Sequence, residues 1–262
     1  MHIHHPKAGS FSIEQLKTAS IDSIIRQSSD IIIPLGSLEP YGVLGNYAVN
    51  SLCIGAVAAA VSSQLQIIAA PVLNYGCSSR FKAFPGSIGF KPKIFSSMLA
   101  CMCNDCFFQG AKRVIILNSS EENVSALELL GKRYNNQNEN KVEIFSLQSD
   151  KRVREFVRES KEGLEFGRSE FMMLSMASFL EPDCVSKVET QIRLPASDVY
   201  TAWRRRGRDP DKFRKLFPTS ISSEIASQFD FTFGEKVFNF IVTLLCNQYS
   251  PLPGTKKTNA TE

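Results

Sequence analysis

Histidine is almost missing from this chain of 262 residues: there are three, His2, His4 and His5, all in the first five positions. A Ser-His-Asp triad, a Cys-His pair and a His-rich zinc site are therefore excluded from the body, unless the N-terminal arm folds in. Charge is missing from residues 40 to 79, a run of forty. That run is not a membrane span. Gly, Pro, Asn, Ser and Gln interrupt it, and its most apolar piece, Leu52 to Val61, is too short to cross a bilayer. A buried helix followed by a buried strand is expected instead. The N-terminus has no apolar leader core, so a cytoplasmic protein is expected. The seven cysteines (53, 77, 101, 103, 106, 184 and 246) are odd in number and irregular in spacing. They read as free thiols of a reducing compartment. With 30 Lys+Arg against 26 Asp+Glu, the net charge of +4 is too small to point to nucleic acid or a membrane.

With 43% apolar and 21% charged residues, the composition is that of a globular chain. The pattern alternates between helix and strand. A helix is expected over 12–28 with Ser12 as N-cap, then strands over 30–36, 67–73, 113–118 and 142–147. Further helices are expected over 51–65, 92–109, 122–133, 151–160, 168–180 and from Gly234 to 248. Near-continuous apolar strands between helices imply a three-layer α/β/α fold with a mostly parallel sheet covered on both faces. The expected layout is an arm over 1–11, one domain over 12–250 and a disordered tail over 251–262. In such sheets ligands bind beyond the carboxyl ends of the strands. The segments Gly36 to Asn50, Asn74 to Gly89 and Asn118 to Asn123 fall there.

Those segments carry a resemblance. Ile32-Ile-Pro-Leu-Gly-Ser-Leu-Glu39 resembles the first strand and G-S-x-E-x-H-G turn of the creatininase (creatinine amidohydrolase) family. Asn74-Tyr-Gly76 with Phe84-Pro-Gly-Ser87 resembles its Y-G…F-P-G-T segment. Arg113-Val-Ile-Ile-Leu-Asn118 with Glu122-Asn123 resembles the strand entering N-G-H-x-x-N, and Gly167 with Glu170 resembles H-x-G-x-x-E-T. The resemblance implies a creatininase-like fold, an assembly of identical subunits, and metal-dependent hydrolysis of C–N bonds. Two divalent metals (Zn, Mn or Mg) would activate water and polarise a carbonyl.

The ligand set that the resemblance implies is broken. Glu39 and Glu122 stand at family metal positions. The ligand histidines fall at Tyr41 and Ser120, a further turn histidine at Leu44, the bridging Asp at Asn50, and the histidine of the fourth segment at Glu165. Two carboxylates joined by a neutral amide hold two cations poorly. They suit at most a weakly held Mg or Ca with waters. Metal dependence is therefore expected only if the protein is active, and no cofactor otherwise. Tyr41, Asn50, Tyr75, Phe84, Ser120 and Asn123 are the expected lining of a ligand pocket. Glu39 and Glu122 are metal candidates or relics paired with Arg80 or Lys82. Glu165 and Glu170 are weak candidates for an acid/base pair, since a spacing of five sits badly on one helical face. Cys101, Cys103 and Cys106 read as buried thiols rather than a metal cluster.

Three functions remain in view. The favoured one is a degenerate family member, a pseudoenzyme that binds a small molecule or acts through assembly. The second is an amidohydrolase of a non-peptide or cyclic C–N bond with a rebuilt metal site, drawing on Glu121, Asn50 or an N-terminal histidine. The third is a polyanion binder through residues 204–215, which hold seven basic and two acidic residues flanked by Trp203, Phe213 and Phe217. A surface loop or an oligomer contact is the preferred reading of that stretch.

Overall fold

The structure is a computed structural model and describes residues 11–135, 140–160, 168–187, 202–203, 209–221 and 227–250. Four parallel strands lie in the order β2-β1-β3-β4, with β1 Asp30–Leu35, β2 Ile68–Ala69, β3 Arg113–Asn118 and β4 Lys141–Ser146. The helices are α1 Thr18–Ser28, α2 Val49–Leu65, α3 Pro92–Phe108, α4 Val124–Tyr134, α5 Lys151–Ser160, α6 Arg168–Leu180, α7 Pro210–Leu216 and α8 Phe231–Tyr249. This is the expected α/β class. No described helix is long and apolar enough to cross a membrane.

Side chains alternate across the central strands, so each strand feeds two cores. Ile32, Ile115 and Leu117 face α2, α5, α6 and α8, while Ile31, Ile33, Leu35, Val114 and Ile116 face α1, α3 and α4. The apolar strand sequences follow from this double coverage. Arg113, opening β3, forms a two-pronged hydrogen bond to Asp30, opening β1, at 3.0 and 2.5 Å, and also donates to the Tyr249 carbonyl at the end of α8 at 3.2 Å. The amino end of the sheet is thus closed by structural contacts, and the carboxyl end carries the loops.

Several boundaries differ from the sequence expectation, each for a local reason. Ser12 does not cap a helix. Residues 11 and 12 pair with Ala69 at the sheet edge, and α1 begins only at Thr18 after a short turn. β2 shrinks to two residues because Pro34, the next β1 residue due to donate to it, has no N–H. The chain rejoins β1 at Leu73, which donates to Pro34. Pro34 is tolerated in a central strand because its hydrogen-free nitrogen faces that broken stretch of ladder, while its carbonyl still accepts from Leu73. α8 starts at Phe231, not after Gly234. Asp230 caps it by accepting from the Phe233 amide at 2.7 Å. Gly234 instead lies inside the helix, where a Cβ would meet the Ser175 carbonyl oxygen at 1.9 Å.

Candidate functional site

The turn after β1 and the turn after β3 leave adjacent, parallel strands side by side, so their residues meet. Gly36 opens the first turn. A Cβ there would lie 2.3 Å from Ser51 Oγ, so only glycine lets α2 come so close. Ser37 and Glu39 follow, both buried, and α2 delivers Asn50 from its first turn.

These residues form one directed chain of hydrogen bonds. The Tyr41 hydroxyl donates to Asn50 Oδ1 at 2.8 Å. Asn50 Nδ2 donates to Ser37 Oγ at 2.9 Å, which turns the Ser37 hydrogen onto Glu39 Oε1 at 2.6 Å. Ser120, brought by β3, donates to the same carboxylate oxygen, and its Oγ accepts from the Glu122 amide at 3.1 Å. Glu39 and Glu122 are therefore linked through one serine.

Arg80 completes the cluster. Its backbone amide donates to Glu122 Oε2 at 3.0 Å, and its Nε lies 3.6 Å from Oε1. The guanidinium carbon sits 4.5 Å from the centre of the Phe81 ring and 5.5 Å from that of Phe213. Glu39 and Arg80 are the charges that bracket the uncharged run of forty residues. Burial pushes the Glu39 carboxyl above its usual 4.5 against the pull of Arg80; the Glu122 charge adds to the rise, and the two serine hydroxyls oppose it. Burial, with Glu39 beside it, lifts the Tyr41 phenol well above its ordinary value, so it stays a neutral donor.

The remaining sequence candidates scatter. Asn123 is fully buried and spends its amide holding three loops together. Its Oδ1 accepts from the Cys77 amide at 2.7 Å, and its Nδ2 donates to Asn118 Oδ1 and the Gly36 carbonyl. Phe84 packs edge-on against Phe81 and Phe213 in a separate aromatic cluster with Trp203 and Phe217. Tyr75 is half exposed, and Leu44 is buried in the main core. Glu170 lies in the first turn of α6, near enough for its charge to act on Tyr41, whereas Glu165 lies outside the described residues. Cys101 is exposed and Cys103 buried, and burial pushes the Cys103 thiol up to about 12. Within the basic stretch, residues 204–208 lie outside the described residues. Arg214 donates to the Ala83 carbonyl at 2.5 Å, so that guanidinium is used within the fold. Ser37 is the member of the site that sequence reasoning missed. Its signal was its place two residues before Glu39.

Two divalent metals do not fit this donor set. Among the described residues no three His, Cys, Asp or Glu side chains gather as a metal site requires. Glu39 Oε1 already accepts two hydroxyls, Glu122 is bound by Arg80, Asn50 Oδ1 accepts from Tyr41, and Tyr41 holds its proton. A firm transition-metal centre needs imidazole, thiolate or more carboxylate than this.

The chain is similar in fold to several solved creatininases. A mutant creatininase matches at 20% identity and a TM-score of 0.68, over 92% of this chain and 99% of that one. A creatinine amidohydrolase matches at 19% and 0.68, over 92% and 98%. A creatininase in its Mn form matches at 19% and 0.68, over 92% and 99%. No curated protein matches in sequence. At these identities the likeness shows the shared fold. The model of the creatinine amidohydrolase family matches residues 14–247, nearly the whole described chain, and on that match this protein belongs to the creatininase family.

Proposed function

We propose that this protein is a creatininase-family member that has given up metal-dependent hydrolysis and uses its carboxyl-end loops to bind a small molecule or to organise an assembly. The observation that carries this reading is the Tyr41–Asn50–Ser37–Glu39–Ser120 chain. Residues at the family's ligand positions satisfy one another with hydroxyls and an amide. A hydrolytic centre needs those positions open to metal and water. Two further expectations belong to the same reading. Seven free thiols favour a reducing, cytoplasmic setting. The exposed apolar side chains Ile88, Phe90 and Ile94 favour an assembly of identical subunits.

The competing reading is an amidohydrolase of a non-peptide or cyclic C–N bond. It draws on the two retained carboxylates and on the likeness to creatininases of the Mn and Zn-Zn types. A turnover assay separates the two. Untagged full chain, with His2, His4 and His5 changed to Ala, is incubated with creatinine and with formamide substrates, with and without Mn²⁺, Zn²⁺ or Mg²⁺. No turnover is expected. Metal-dependent turnover that disappears in Glu39→Gln overturns the proposal.

A further inference from the structure

We propose that Arg80 is the resident cation of this site: its guanidinium supplies, within the chain, the positive charge that two neighbouring carboxylates require, so the site assembles without a divalent metal. The inference rests on the non-hydrolytic reading and goes one step past it, to what balances the charge.

Two carboxylates stand here in largely dry surroundings. Glu39 is 5% exposed, and the Glu122 side chain is 13% exposed. Their charges act on each other, and Ser120 fixes their places, its hydroxyl reaching the Glu39 carboxylate and its Oγ accepting from the Glu122 backbone amide. Buried like charges repel unless a cation lies between or beside them. Arg80 is that cation. Its backbone amide donates to Glu122 Oε2, its Nε lies 3.6 Å from Oε1 as an ion pair, and its charge also acts on Glu39.

The guanidinium is not a mobile surface group that happens to lie close by. Its side chain is 13% exposed, and it is held against the Phe81 and Phe213 rings. Phe213 comes from α7, which Asp209 caps by accepting from the Asp211 and Lys212 amides. Phe81 and Phe84 complete the cradle from the turn that carries Arg80. A stacked, ring-held arginine is a fixed charge, which a flexible lysine would not reproduce. A second observation agrees: Glu39 Oε1 already accepts both serine hydroxyls, and Glu122 Oε2 accepts the Arg80 amide.

The test uses the full chain with His2, His4 and His5 changed to Ala, which removes the arm as a source of metal binding. Arg80→Met, Glu122→Gln and their double variant are melted side by side, with Arg80→Lys for comparison. Each single variant is expected to lower Tm by about 5 °C or more, and the double variant to fall clearly short of the sum, as coupled partners do. Arg80→Lys is expected to recover only part of the loss. The parent protein, titrated with Mn²⁺ or Zn²⁺ alone, is expected to bind no stoichiometric metal at this site, and a chelator is expected to leave its Tm unchanged. Additive losses for Arg80 and Glu122 overturn the inference, and so does one equivalent of metal that Glu39→Gln abolishes. Should Arg80→Met fail to fold, Arg80→Lys and the metal titration still decide. Metal bound without turnover sinks the inference and leaves the non-hydrolytic reading standing, whereas metal-dependent turnover sinks both.

Discussion

An acid at position 50 should damage this protein. Asn50 is fully buried, and Asn50→Asp changes two things at once. The Nδ2 donor that holds Ser37 at 2.9 Å is lost, which costs about 1 kcal/mol. A second carboxylate also appears in the chain that leads to Glu39. Through Ser37 the two acids are at most about 5.5 Å apart, and at an effective dielectric constant of about 20 their repulsion is about 3 kcal/mol. The total, about 4 kcal/mol, corresponds to a fall in Tm of about 10 °C for a domain of this size. The cost should shrink near pH 5, where the new carboxyl takes up a proton and regains a donor for Ser37. Urea denaturation at about pH 5 and about pH 7.5, with intact secondary structure checked by circular dichroism, measures both points. A variant as stable as the parent at the higher pH would refute the reasoning, because it would mean that the Tyr41–Asn50–Ser37–Glu39 chain is open to water.

Two other perturbations have definite signs. Because the Glu39 carboxyl is held above its usual 4.5, its contribution to stability is complete below that value and is lost as pH rises through the folded value. Glu39→Gln, which keeps an oxygen for Ser37 and Ser120, should therefore flatten the fall of stability with pH; parallel denaturation profiles from about pH 4 to about pH 8 would contradict this. Gly234→Ala places a methyl group 1.9 Å from the Ser175 carbonyl oxygen, and neither backbone can yield without parting α6 from α8. A loss of about 3 kcal/mol in chemical denaturation is expected, and a loss under about 1 kcal/mol would contradict so close a crossing.

Much of the architecture could be read before any coordinates. The apolar runs 30–35 and 113–118 are strands, and they are apolar on both faces because helices cover both. The errors fell where a local signal met a tertiary one. Pro34, with no N–H, broke a ladder that hydropathy carried on to Leu73. Gly234, read as a boundary, is an interior residue kept small by a neighbouring helix. Phe84 and Tyr75 both lie in the segment that resembles the family motif, and both are expected to line the pocket. Packing sends Phe84 into an aromatic cradle and leaves Tyr75 half exposed, a difference that linear spacing does not encode.

By itself, the sequence determined the alternation of helix and strand and the absence of imidazole beyond the fifth residue. Those are properties of residue type and period, and they need no partner. Only the tertiary structure decided how the remaining polar groups are used. Glu39 and Arg80 lie forty-one positions apart, yet they share one small cluster because the pairing of β1 with β3 sets Glu39 beside Ser120 and the 79–81 turn meets Glu122. The direction of each hydrogen bond, the rise in the Glu39 carboxyl's pKa and the seating of Arg80 against two rings all depend on which groups exclude water together. That exclusion is a property of the packed molecule and is absent from any short stretch of the chain.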